Sequence, residues 1–441
     1  MNLTNRVFIT GMSALTSTGA TADETWSGLL AGKSGLGDIQ QWDLSSWSNR
    51  LGGEIKAYNP ATMLPDRKLI KVISRQDVLG INAAMQAVDH SQLMAYRDTI
   101  ADNTHELATF QDKSGVYVAS PGNKYLQQYD FLPLMAKTNG DMQAFAEHLF
   151  SEVHPMWLLR ILPNNVLAYT GITYGFKGAN HNITNHAVGG MQAIIEAYHA
   201  IQSGQISRAV VVAYDVGIEP QALYYYDKLG VLSARDLKPF DQNHDGTVLA
   251  EGASALVLES EASVRERHAR CYAEITGGSA ATEANGLFSI EAEGIELARL
   301  MSGALKNSQL HASDIGVVVA HGNGNQKSDT SEAAAIQAVF GNHDVPVTAF
   351  KWSMGHTLCA SGVLDTVLAT YSLRQQCVPG IANLTTLARD CLVNASQEMR
   401  TLASHKPHAL IINRGFASMN TCLLIKSCEE HQQDVETHET S

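Results

Sequence analysis

The sequence predicts an α/β fold built from two duplicated halves, and three observations carry that prediction. Short apolar runs that read as strands alternate with stretches whose apolar residues recur at intervals of three and four. A unit of strand, glycine-rich elbow, amphipathic helix and strand occupies residues 181–215. The same unit, alike in pattern more than in identity, returns over residues 345–415. With 441 residues, 45% of them hydrophobic and 17% charged, the chain can bury a large core. The expected organisation is an N-terminal half over 1–260 with an insertion at about 121–170, a C-terminal half over 261–428, and a polar, acidic tail over 429–441 that reads as disordered.

In chain order, Val7–Ser13 reads as a strand running from the edge into the core and ending in a glycine turn. A helix follows with Thr21 or Asp23 as its N-cap, and Ser74 to Asp77 opens a second. Between them, residues 33–70 read as loop and short elements. GVYVAS at 115–120 is a buried strand, and 121–170 is a long, aromatic, irregular segment of the kind that builds binding surface or a subunit interface. HNIT at 181–184 is a short strand before the elbow, and residues 208–215 are a central strand. Asp245-Gly246 reads as a turn from one strand into the next, with 255–259 as a strand run. The second half continues with strand and loop at 314–325, strand, glycine loop and helix at 345–375, and a closing hairpin at 408–426.

Composition excludes several classes of function. A formal charge of −13 argues against nucleic acid or an anionic membrane as partner, since both require clustered Lys and Arg. Six scattered cysteines without CxxC spacing fit a reducing, cytoplasmic setting and give no structural zinc pattern, and the 17 histidines show no HExxH or HxH. No metal site is expected. No apolar run reaches about 18 residues, so no membrane span is expected, and the N-terminus does not read as a signal peptide.

The chemistry should lie at Thr184-Asn185-His186-Ala187-Val188-Gly189-Gly190. Met191, Ile194, Ile195, Tyr198 and Ile201 give the helix that follows its apolar face. A strand turning into a helix exposes the side chain at the turn, and the helix N-terminus favours a thiolate or an oxyanion there. Yet this elbow holds Asn185, His186, Ala187 and Val188, with no Cys, Ser or Thr at its tip. No cysteine occurs before Cys271, so no shift of register supplies one.

Four further blocks stand in order: PFDQNHDGTVLAEGA, VVAHGNGNQKSDTSEAAAIQAVFG, KWSMGHTLCASG and INRGFASMN. With VFITGMSALTSTG and the SRQD helix, they resemble the β-ketoacyl-[acyl carrier protein] synthases, condensing enzymes of the thiolase fold, from about residue 5 to residue 426. The resemblance implies a layered αβαβα arrangement of the two halves. It also implies His321 and His356 as the family's two histidines, Lys351 as its lysine, Asp329 and Glu332 as the acidic positions after the first histidine, and Phe416 as the residue that gates the acyl site. The nucleophilic cysteine of the family falls on Ala187. Two other blocks depart from the pattern. Asn323-Gly324-Asn325 replaces a Thr- and Ser-rich stretch that contacts the phosphopantetheine arm, and Gly415-Phe416-Ala417-Ser418, preceded by Arg414, replaces GFGG. Cys359 lies on the second elbow, where the family has glycine.

A methyl group cannot carry an acyl thioester. The resemblance therefore points to the Cys-less chain-length factors, the ketosynthase-β subunits that pair with a Cys-containing β-ketoacyl synthase, and within them to the synthase-like factors of aryl polyene pathways. Such a chain would complete its partner's acyl tunnel, with Met156 and Trp157 as tunnel or gate residues. No cofactor is implied beyond acyl chains on the phosphopantetheine of an acyl carrier protein. At −13 this chain should leave carrier docking mainly to the partner. Two alternatives stand beside this reading: a malonyl-carrier decarboxylase using His321 and His356, and a purely structural assembly partner. Tyr224, Tyr225 and Tyr226 read as surface or interface packing rather than as a site.

Overall fold

The computed structural model describes residues 5–122, 124, 129–341 and 343–428. The acidic tail at 429–441, read as disordered, lies outside the described residues, as do part of the N-terminus and part of the 121–130 segment. Ten strands form the main sheet: β1 (Val7–Leu15), β2 (Ser114–Ala119), β3 (Asn180–Ile183), β4 (Arg208–Val216), β5 (Glu251–Ser260), β6 (Ala273–Thr282), β7 (Ile315–Val319), β8 (Val347–Thr348), β9 (His408–Gly415) and β10 (Met419–Ser427). Their spatial order is β8-β7-β9-β10-β6-β1-β5-β4-β2-β3.

Each half contributes five neighbouring strands, and the halves meet where Val7–Ile9 of β1 pairs antiparallel with Ala273–Ile275 of β6. β1 therefore runs through the middle of the sheet, with all nine residues buried, rather than out to an edge. The halves stack as layers and also share this short seam. The buried strands β4 and β5 pair along their whole length, from Arg208 with Glu259 to Val216 with Glu251. Both carry runs of Val, Ala and Leu that suit strands covered on both faces.

Two helices form the central layer: α1 (Gly189–Gln202) after the first elbow and α2 (Ser361–Arg374) after the second. Every residue of α2 from Ser361 to Leu373 is buried. A helix buried all round must still satisfy its hydroxyls. Here Thr366 donates to the Gly362 carbonyl at 2.7 Å and Thr370 to the Thr366 carbonyl at 2.9 Å.

The helices start against each other, and glycine is required at the contact. A Cβ on Gly190 would lie 2.5 Å from the Cys359 carbonyl oxygen, and one on Gly362 would lie 2.8 Å from the Met191 backbone nitrogen. Each elbow also holds a non-glycine residue in the left-handed region four positions before its glycine, His186 at φ 47° and Leu358 at φ 45°. The duplication seen as a pattern in the sequence is thus repeated in backbone detail.

Two expectations need correction. The 121–170 segment is largely helical where described, with helices over Leu132–Lys137, Met142–Glu152, Trp157–Ile161 and, beyond them, Asn165–Tyr174. Pro133, Pro155 and Pro163 break it into pieces too short to show a clear period in sequence. Asp245-Gly246 does not join two strands, because β5 begins only at Glu251 and the preceding stretch makes an isolated bridge, Leu232 with Thr247. Side chains hold that stretch instead: Asp241 accepts from the backbone N–H groups of Thr385 and Thr386, at 2.7 and 3.1 Å.

The glycine contact gives a test with an internal control. Gly190→Ala should lower stability by about 1–3 kcal/mol, the usual cost of overpacking a filled core. Gly303, helical and with nothing within 4 Å of its Cβ position, should tolerate alanine and gain about 0.5–1 kcal/mol. Urea unfolding of both variants measures the difference, and equal midpoints would contradict the packing argument.

Candidate active site

The first elbow places Ala187, fully buried, in a short turn over His186–Val188 that leads into α1. Beside it, three rings stack on one another. His186 stacks on Phe416 with centroids 4.5 Å apart, and Tyr226 stacks on Phe416 at 5.6 Å. The His186 Nε2 and the Tyr226 hydroxyl form a short hydrogen bond. Phe288 meets Phe416 edge-on at 5.5 Å. Among the described residues His186 Nδ1 is buried without a hydrogen-bond partner, and burial takes the imidazole down to about 4.

Tyr226 corrects the reading of the three tyrosines. It sits on the helix Pro220–Lys228, whose phase turns it inward, while Tyr224 and Tyr225 remain exposed. Three identical residues in a row gave the sequence no way to single out one of them. Phe288 likewise lay in a stretch without a motif.

The loop that carries Phe416 is fixed. Ala417 and Ser418 both adopt positive φ, at 60° and 54°, where the family pattern has glycines. Such strain persists only when the surroundings over-determine it. Here the Ala417 N–H donates to the Leu287 carbonyl at 2.8 Å, and the Ser418 hydroxyl donates to the Ser289 carbonyl at 2.6 Å.

His321 and His356 come together with ring centroids 5.1 Å apart and nearly perpendicular planes. Both are buried, 1% and 4% exposed. Burial, then the Lys351 charge, holds both well below the usual histidine range, so both are neutral. The Arg414 N–H lies 3.3 Å from His321 Nδ1, so that nitrogen accepts and the ring proton belongs on Nε2. His356 is anchored by its backbone N–H on the Val248 carbonyl, at 2.7 Å, with Nδ1 3.2 Å from the Ser361 hydroxyl.

The charged residues around the pair act as supports. Lys351 Nζ lies 2.9 Å from Asp365 in a buried ion pair. Glu332 accepts the N–H groups of His321 and Gly322, at 2.7 and 2.9 Å, yet burial still raises its carboxyl to about 7. Asp329 accepts from the Phe240 N–H at 2.9 Å and pairs with His244. Arg414, noted in sequence only as a departure, pairs with Glu283 at 2.8 Å and donates to the Ser328 carbonyl.

Cys359 offers no substitute nucleophile. It is buried, and burial, then the Asp215 carboxylate, pushes its thiol well above the ordinary value. A raised thiol is protonated at neutral pH and a poor nucleophile. Met156 and Trp157 lie apart, in the helical insertion: Met156 is exposed, and Trp157 packs edge-on against Phe131 at 4.2 Å.

Comparison with known proteins agrees with this geometry. Residues 4–263 match the family model for the β-ketoacyl synthase N-terminal domain, and residues 272–385 match that for the C-terminal domain. The chain belongs to the β-ketoacyl synthase family. It is 28% identical over 396 residues to 3-oxoacyl-[acyl-carrier-protein] synthase 2 of Synechocystis sp., covering 88% of this chain and 89% of that one. It is 26% identical over 432 residues to a putative polyketide β-ketoacyl synthase 1 of Streptomyces cyaneus, covering 96% and 98%. Among solved structures, the ishigamide ketosynthase/chain length factor superposes with a TM-score of 0.84 at 22% identity, over 97% of this chain and all of that one. A β-ketoacyl synthase from Burkholderia phymatum gives 0.83 at 24%, over 96% of this chain and all of that one. At these identities the likeness establishes the thiolase-like ketosynthase fold. Among the described residues no helix is long and apolar enough to cross a membrane.

The desolvated imidazole of the half-buried His186 makes a pH prediction. A histidine held down to about 4 in the fold but titrating near 6.5 when unfolded contributes stability that is full above 6.5 and lost as pH falls toward 4. Glu332, raised to about 7, works in the opposite sense: its contribution is present below about 4.5 and lost as pH rises through 7. Comparing His186→Gln with the parent isolates the histidine. The variant should lose less stability between pH 6.5 and 4 in urea titrations, and parallel pH profiles would contradict the assignment.

Proposed function

We propose that this chain is a noncatalytic ketosynthase-like subunit, a chain-length factor that pairs with a Cys-bearing β-ketoacyl synthase and shapes its acyl tunnel. One observation carries the reading: Ala187, fully buried in the first elbow, stands where the family's nucleophile belongs, next to His186, which stacks on Phe416. A condensing enzyme must hold its acyl chain on sulfur at this point. The hydrogen-bonded turn at Ala417 and Ser418 also suits a fixed Phe416 better than one that swings to admit substrate. Placement in an aryl polyene pathway rests on the sequence resemblance and belongs to the same proposal.

The surface supports a partner. At one end of the sheet β8 is covered, since its Val347 N–H donates to the Asn394 carbonyl. At the other end lies β3, whose outer side pairs with no strand among the described residues. Phe150 in the insertion and Ile172 on the Asn165–Tyr174 helix are exposed apolar side chains, at 86% and 73%. An open strand edge and exposed apolar residues together favour association. The net charge of −13 assigns docking of an acidic acyl carrier protein to the partner.

A second reading has its own observation. His321 and His356 are neutral and paired, with His321 holding its proton on Nε2, and neutral donors of this kind stabilise the enolate left when a malonyl thioester loses CO₂. That step needs no cysteine, which makes the chain a candidate malonyl-carrier decarboxylase.

One reconstitution separates the readings. Co-expressed with a Cys-bearing ketosynthase of its own pathway, the chain should purify as a one-to-one heterodimer, and Trp157→Ala should lengthen the products seen by mass spectrometry. With the partner's cysteine blocked, CO₂ release from malonyl-carrier should not depend on His321 or His356. Unchanged product length would remove Trp157 as a wall, and histidine-dependent CO₂ release would make the chain an enzyme.

A further inference from the structure

Away from the elbow, two segments distant in sequence, one carrying His244 and the other the adjacent pair Asp390-Cys391, converge on one point. A ring nitrogen of His244, a carboxylate oxygen of Asp390 and the Cys391 sulfur lie within 4.8 Å of one another. His244 and Cys391 are buried, while Asp390 is exposed and opens the cluster to solvent. His244 Nδ1 lies 3.0 Å from Oδ2 of the fully buried Asp329. That contact engages Nδ1, so a metal held by this ring would take Nε2. Asp390 is held in turn by the Thr330 hydroxyl at 2.9 Å. The turn bearing the sulfur is braced by two backbone bonds, Cys391 N–H to the Ala388 carbonyl at 3.0 Å and Ala388 N–H to the Phe240 carbonyl at 2.9 Å.

We propose that His244, Asp390 and Cys391 form a binding site for a thiophilic divalent cation, zinc in the first instance. The donor set decides the class of ion. An imidazole, a carboxylate and a thiolate select zinc over magnesium or calcium, which take oxygen ligands. Three protein ligands leave the fourth tetrahedral position to water on the exposed Asp390 side. The carboxylate behind His244 is the arrangement that orients metal-bound histidines and raises their basicity. On binding, the sulfur–metal bond replaces the S–H bond of Cys391, and the proton leaves to solvent.

The ion would brace the catalytic-like centre without touching it. It would tie the 237–246 segment and the 388–391 turn to the first turn of the helix Gln326–Phe340, whose Glu332 holds the His321 backbone. No local spacing announces a metal, because His244 and the Asp390-Cys391 pair lie far apart in the chain.

The full chain, stripped with a chelator and titrated with Co²⁺, tests the site. One Co²⁺ per chain should bind with a sulfur-to-metal charge-transfer band, and Zn²⁺ should displace it and raise the melting temperature by a few degrees. Cys391→Ser should lose both the band and the shift while melting like the parent in chelator. His244→Gln serves the same purpose if the serine variant folds poorly. Asp329→Asn, which keeps all three ligands, should weaken binding about 10–100-fold. Absence of the band, or a band that survives Cys391→Ser, would overturn the proposal.

Discussion

The contact between the N-termini of the two central helices governs this molecule. Gly190 against the Cys359 carbonyl, and Gly362 against Met191, let the backbones of α1 and α2 approach more closely than any side chain allows. Both elbows are thereby brought to one place at the centre of the layered fold. Cys359 Sγ lies 3.2 Å from the Cβ position of Gly189, so the second elbow reaches the first. What remains for chemistry is the rim, where His321, His356 and the Phe416 loop meet the first elbow.

That rim is electrostatically quiet. Burial strips the histidines of their charge, and Lys351 reinforces the effect while its own charge is balanced by Asp365. The environment is therefore of low dielectric and holds neutral imidazoles, which suits a developing oxyanion. It lacks the group that would form the covalent intermediate. A chain built this way keeps the fold of the β-ketoacyl synthase family.

Much of the fold was legible because glycine placement and hydrophobic period are strong constraints. The elbows, the buried helices and the strands that flank them leave patterns with little room for alternatives. The absence of a cysteine from the first elbow was equally plain, since the first 270 residues hold none. The 121–170 segment was misread because its helices are short, broken by prolines and apolar on faces that stay exposed. The role of Tyr226 was hidden because only helix phase separates it from Tyr224 and Tyr225. The stretch around Asp245 was taken for a strand turn because its real anchors, Asp241 and Asp329, act across long sequence separations.

The central claim is that this chain carries no acyl intermediate of its own. Intact-protein mass spectrometry of the heterodimer, after exposure to acyl-loaded carrier protein, tests it most directly. The account predicts an acyl adduct on the partner subunit alone, with this chain at its unmodified mass. An acyl adduct on this chain, at Cys359 or at any other residue, would contradict it.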